Sequence, residues 1–343
     1  MHMGDALISP AIGGTMLVAA VGVAAVSVRK VKDLDEQKIP LMGVMAAFVF
    51  AAQMINFTIP FTGSSGHLGG GLMLAFLLGP YAGYLAMAAI LLIQALFFAD
   101  GGLLALGCNL INMGFFTCFI AYPLVFKLIT KKGLSKTRLI VGSVIAGVVG
   151  LQLGAFAVVL ETVLSGKTVL PFSQFAWTMQ GIHLAIGVVE GVVTAAVVLF
   201  VWKVRPDIIK ANMGSENKKA GYKSVIIGFL VSALLLGGII SLFASSNPDG
   251  LEWSVGKVAG VEELTGDTRV HDTLEGVQDK TALLPDYGFK NSQKNTASNS
   301  MSSENKGTVV SGIVGSAVTV GVIILVGYLI KLSKRRLLKR QTQ

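Results

Sequence analysis

The 343 residues are 53% hydrophobic and only 14% charged, with a mean hydropathy of +0.70. Ordinary soluble domains carry about 25% charge, and apolar runs of about 20 residues recur here, long enough to cross a bilayer core. A soluble enzyme and a nucleic-acid binder are therefore excluded: the net charge of +9 falls in clusters between or after apolar runs, the pattern of cytoplasmic loops.

In chain order the apolar runs predict spans at 6–28, 40–59, 67–79, 81–98, 103–127, 139–161, 175–203, 223–243 and 308–330. The first run follows Met1-His2-Met3-Gly4-Asp5, with no basic residue ahead of it, and Arg29, Lys30 and Lys32 behind it. A cleaved leader needs its basic residues in front, so the run is expected to be a retained helix with its N-terminus outside. Residues 67–127 pose a choice. Reading Leu72 to Phe98 as one helix gives two crossings and would leave the Lys127 to Arg138 cluster outside, against the positive-inside rule. A break at Gly79-Pro80, where proline disfavours helix in the residue before it, puts every basic cluster inside. The result is a short helix over 67–79, enclosed by neighbours, with the Phe61 to Gly71 loop dipping inward from the outer face.

The expected fold is thus all-α and polytopic. Residues 1–205 form a seven-helix bundle, 206–222 a basic cytoplasmic linker, and 223–343 a two-helix module. Within that module an outer segment, 244–306, carries Pro248-Asp-Gly-Leu-Glu-Trp253, and its far end, Asn291 to Lys306, has a composition ill suited to burying a core. The C-terminus falls in the cytoplasm. Cys108 and Cys118 both lie within one apolar run and read as small buried hydrophobes.

The opening residues carry the chemistry. A free terminal amine, the peptide nitrogen of residue 2 and the His2 imidazole can chelate one metal ion through three nitrogens in nearly one plane. Such a field suits Ni(II) or Cu(II). Bulky His2 should protect Met1 from removal. A fourth nitrogen could come from His67, in the inward-dipping loop, while His183 falls near mid-membrane and His271 in the outer segment. Against this stand the bland readings of an accidental N-terminal histidine and a solvated loop histidine.

Other polar positions are weaker signals. Asn109 and Asn112 share a helix face, and Ser64 and Ser65 flank the loop. His183 and Glu190 are ionisable groups at membrane depth, a flag for function, with an ordinary polar contact as the competing reading. Gly63-Ser64-Ser65-Gly66 allows an intramembrane serine protease with a Ser65/His183 dyad, which needs the two within hydrogen-bond reach. A self-sufficient metal channel or carrier is a further alternative. No nucleotide site is expected, because Glu161 stands where a phosphate-binding loop ending in Gly166-Lys167-Thr168 needs its first glycine.

Four stretches, MHMGDALISP, GSSGHLGGG (63–71), FFADGGLLALGCNLINMG (97–114) and HLAIGVVEG (183–191), closely resemble the CbiM/NikM family over roughly residues 1–205. These are the substrate-binding components of nickel and cobalt energy-coupling factor (ECF) transporters. The PDGLE stretch resembles their NikN/CbiN-type accessory module, fused here. The resemblance implies a non-enzymatic component that captures Ni2+ or Co2+ outside the cell. It implies a six-helix core preceded by an extra N-terminal helix. It also implies a metal held by the amine of Met1, the amide and imidazole nitrogens of His2, and His67. The implied partners are a transmembrane coupling subunit and two ATP-binding subunits, which would use the ATP, in the cell's inner (plasma) membrane. The Gly307 to Gly315 surface would suit such a partner.

Overall fold

A computed structural model describes residues 1–31, 38–212, 222–261, 264–266, 268–290 and 300–341. The first membrane helix, α1 (Pro10–Lys30), begins where Ser9 accepts from the Ile12 amide, with Pro10 in the first turn, where its missing N–H costs nothing. Next come α2 (Lys38–Gln53) and a two-stranded antiparallel hairpin, β1 (Phe57–Ile59) with β2 (Ser64–Gly66), in register Thr58 to Ser65. The hairpin was not expected in an all-α chain. Its strands are three residues each, too short to show an alternating pattern.

Two helices follow, α3 (Gly71–Leu78) and α4 (Pro80–Phe98). They part at Gly79, whose φ of 84° favours glycine, and Pro80 starts α4. The expected break therefore falls where proline and glycine placed it. Residues 71–77 of the short α3 are all buried, as a helix too short to span requires. The bundle continues with α5 (Leu106–Thr130), α6 (Lys136–Leu164) and α7 (Phe172–Val204). A Cβ at Gly191 of α7 would lie 2.4 Å from the Val144 Cα of α6. Only glycine permits that approach, and close backbone contact is how helices associate where the hydrophobic effect gives no help.

A short α8 (Pro206–Asn212) leads into the basic linker, most of which lies outside the described residues. The second module comprises α9 (Lys223–Gly238), α10 (Gly250–Ala259), α11 (Arg269–Thr281) and α12 (Ser300–Gln341). Helix α9 ends at Gly238, followed by a 3-10 turn at Ile240–Phe243, so the expected span 223–243 is helical except at Ile239 and not of one kind. The expectation for Asn291 to Asn299 lies outside the described residues. The Gly307 to Gly315 surface is used within the chain itself. A Cβ at Gly312 would lie 2.3 Å from the Gly237 carbonyl, and one at Gly315 would lie 2.1 Å from Phe50 Cζ.

Among the described residues, six helices are long and apolar enough to cross a membrane: α1, α4, α5, α6, α7 and Lys306–Leu332 of α12, with α2 and α9 as shorter apolar helices. The chain is an all-α, multi-pass membrane protein apart from the small hairpin. At one end of the bundle the N-terminal residues, the hairpin and α10 converge.

Candidate metal centre

The N-terminal segment is clamped in place by side chains of the bundle. Asn109 of α5 accepts from the Met3 amide at 2.8 Å and donates to the Met3 carbonyl at 3.1 Å. Asp5 accepts from the Ala105 amide at 3.0 Å. The Met1 side chain is buried, and its terminal methyl lies so near Gly154 that a Cβ there would be 2.9 Å away.

Held in this way, the terminal nitrogen of Met1 lies 2.8 Å from His67 Nε2. His67 Nδ1 is 3.1 Å from the Leu68 carbonyl. A carbonyl can only accept, so Nδ1 carries the ring hydrogen and Nε2 turns its lone pair to the Met1 nitrogen. The His2 and His67 rings stack with centroids 4.9 Å apart and planes 14° from parallel. His2 Nδ1, the ring nitrogen that can close a six-membered chelate ring with its own amide nitrogen, is 3.2 Å from Asp100 Oδ1. His2 Nε2 is buried without a hydrogen-bond partner. Burial lowers the His2 pKa to about 4, against the opposing pull of Asp100, so the ring is neutral through the physiological range and able to bind a cation.

The loop carrying His67 is gripped from below. Glu190 on α7 accepts from the Gly69 amide at 2.8 Å and the Gly70 amide at 2.9 Å, and Gln53 donates to the Gly69 carbonyl at 2.7 Å. Gly70 has φ of 74°, a left-handed conformation in which glycine is unstrained. The two carboxylate bonds fix where the chain leaves His67.

The second module reaches this centre directly, which the sequence did not reveal. Its Ser245 amide donates to the Asn56 carbonyl, and its Pro248 carbonyl accepts from the Ser65 amide at 2.8 Å. Trp253 Nε1 donates to the Thr62 carbonyl at 3.0 Å. Asp249 then does two things at once. Its Oδ1 caps α10 by accepting from the Leu251 and Glu252 amides, and Glu252 bonds back to the Asp249 amide, completing a capping box. Its Oδ2 accepts from the Met1 amine at 2.6 Å and lies 3.7 Å from His67 Nε2. Farther along, Tyr287 donates to Asp100, the residue that faces His2, and His271 Nε2 donates to the Asp5 and Ile8 carbonyls. His271 is buried there as a strut for the N-terminal segment.

Burial works to raise the Asp249 pKa, but the Met1 ammonium beside it outweighs burial and holds the carboxyl well below 3.8. A carboxylate with a depressed pKa contributes its stabilisation above the unfolded value and loses it as pH falls through the folded value. Asp249→Asn should therefore cost roughly 3 kcal/mol at neutral pH, as expected when one partner of a buried pair is removed. The gap to wild type should narrow below about pH 4. Thermal unfolding of both proteins in detergent at pH 7 and pH 3.5 checks this.

The structure brings Met1, His2 and His67 together. Among the described residues no group of three or more His, Cys, Asp or Glu side chains is arranged to hold a metal ion; the candidate set depends on two main-chain nitrogens. Ser65 and His183 form no dyad: the Ser65 hydroxyl donates to the Asn247 and Pro248 carbonyls, and His183 Nδ1 bonds the Met179 carbonyl. Asn112 donates to Glu161 Oε2 at 2.7 Å, an interhelical polar contact within the bundle.

The Met1 nitrogen, His2 and His67 thus lie together at one end of a multi-pass helical bundle. Residues 2–208 match the CbiM family, described as the cobalt uptake substrate-specific transmembrane region, and residues 223–332 match the PDGLE domain. The chain belongs to the CbiM family. A NikMN relative from Archaeoglobus fulgidus is 33% identical over 321 residues, spanning 93% of this chain and 95% of its own. The "Fused nickel transport protein NikMN" of Rhodobacter capsulatus is 33% identical over 61% of this chain and 64% of its own. The crystal structure of a truncated transition metal transporter superposes with a TM-score of 0.53 at 34% identity, covering 60% of this chain and 99% of that one.

Proposed function

We propose that this chain is the substrate-binding component of an ATP-driven importer of the energy-coupling factor type, capturing Ni2+ or Co2+ outside the cell. The ligands in this reading are the terminal amine of Met1, the amide and imidazole nitrogens of His2, and His67 Nε2. The observation that carries it is the 2.8 Å approach of the Met1 nitrogen to His67 Nε2 beside the stacked His2 ring. An ion binding there replaces hydrogen bonds that these atoms now make, above all the Met1 to Asp249 pair. Nickel relatives of the fused type support the choice of cargo, and a planar nitrogen field favours Ni2+ over harder cations.

The chain divides, in this reading, into a metal-binding body at 1–205, a linker at 206–222 and an accessory module at 223–343. The N-terminus lies outside and the C-terminus in the cytoplasm, because that orientation puts the basic clusters inside. No phosphate-binding loop is legible in the sequence, so the driving force comes from partners: a transmembrane coupling subunit and two ATP-binding subunits. Accumulation of radioactive nickel in vesicles tests this. Vesicles with the chain and its partners should accumulate nickel only with ATP inside the compartment that holds the ATP-binding subunits. Equal uptake by the chain alone would make it a self-sufficient carrier.

A further inference from the structure

Of the ionisable groups nearest the Met1 amine, His183 has no part in the reading above. It sits on α7, eleven residues beyond Phe172 at the helix start, and is completely buried. Its Nδ1 lies 2.8 Å from the Met179 carbonyl one turn back. The ring hydrogen is therefore on Nδ1, and Nε2 holds a lone pair. That nitrogen is buried and has no hydrogen-bond partner.

His183 also lines a cavity of about 10 Å³, shared with Met1, His67, Met113 and Gly250. Such a volume holds about one water molecule or one small ion. Met1, His67 and His183 line it together with Met113, and Leu151 and Ile186 add apolar walls. Neutral imidazole is a good ligand for nickel and cobalt. The module closes the outer side: a Cβ on Gly250 would lie 3.2 Å from His183 Cε1 and 2.9 Å from Ile186 Cδ1. His183 is thus the ionisable side chain of this cavity that lies outside the proposed ligand set.

We infer that His183 Nε2 is a further ligand for the transported divalent ion, a single-imidazole station on the membrane side of the Met1, His2 and His67 set. The inference rests on the metal site proposed above. It assigns His183 to the ion in passage, with the tight equilibrium site left to the other three residues.

The test uses the purified full-length protein with a native N-terminus, titrated with Co2+ by equilibrium dialysis and followed by visible absorption. His183→Ala alone should leave the tight affinity within about twofold. His2→Ala/His67→Ala should bind more weakly, yet retain one Co2+ per chain with an imidazole-type spectrum. Adding His183→Ala to that background should remove the residual binding by about tenfold or more, the scale on which a single contact near a metal acts. His183→Gln, which keeps a polar side chain in the helix, should do the same if the alanine variant fails to fold. Superimposable titrations with and without His183 in that background would overturn the station and leave the cavity to a water molecule. Wild-type affinity in His2→Ala/His67→Ala itself would overturn the metal site, and the station with it.

Discussion

His67→Ala is expected to weaken Ni2+ binding by about two orders of magnitude or more while the protein still folds, since losing even an outer partner of a metal ligand costs 10–100-fold. The hairpin, the Glu190 bonds to Gly69 and Gly70, and the Asp249 to Met1 pair do not involve the His67 ring nitrogen that faces Met1. In the proposed site the substitution therefore removes one nitrogen ligand and leaves its supports. On that reading a three-nitrogen chelate remains without its fourth member. Calorimetry on wild type and variant reads the difference directly, and affinities within threefold would show that the ion does not meet His67.

The second large effect falls on a residue that touches no ion. Glu190→Ala leaves the Gly69 and Gly70 amides, both buried, without their acceptor. Each hydrogen bond to a charged group is worth about 1.5–3 kcal/mol, so the expected loss is roughly 3–5 kcal/mol together with displacement of His67. Glu190→Gln keeps one acceptor oxygen and should recover part of both stability and affinity. Denaturation in detergent, paired with nickel binding on the same samples, separates the two consequences. Unchanged stability in Glu190→Ala would mean that the amides find other partners and that the loop is not held from α7.

Much of this arrangement was legible in the residues because the signals were local. Gly79-Pro80 broke a long apolar run for steric reasons that need no tertiary information. A histidine behind Met1 is a chelating unit by covalent connectivity alone. His67 could be singled out because the charge distribution assigned its loop to the same side as the N-terminus, and the structure places its ring beside Met1. The unseen parts depend on distant contacts. Asp249 and Glu252, three apart, carry the signature of a helix start. Yet nothing near them in sequence shows that the second Asp249 oxygen turns to an amine 248 positions away. His183 stood out in the sequence as an ionisable group inside an apolar run, but its position on a cavity shared with Met1 and His67 is visible only in the fold. The glycines near Gly312 announced a close helix contact, and only the fold shows that the contact is with Gly237 of the same chain.

The PDGLE stretch gains a physical reading from these contacts. The Pro248 carbonyl takes the Ser65 amide, Asp249 both caps α10 and meets Met1, Gly250 passes close to His183, Leu251 is buried, and Glu252 closes the capping box. Five consecutive residues thus seat the module on the hairpin and the N-terminus. On the proposed ligand set, Asp249 and a metal ion would compete for the Met1 amine.

The central claim is that the chain terminus itself is a ligand, and one measurement addresses it most directly. Nickel content and affinity should be compared between the protein with a native N-terminus and the same protein carrying one extra residue before Met1. Intact mass must show that neither has been processed. The extension turns the terminal amine into an amide, which is no longer a basic nitrogen, and moves the new amine away from the His2 chelate. The account predicts that the extended protein folds and docks its module but loses tight nickel binding. Native affinity in a fully unprocessed extended chain would contradict it.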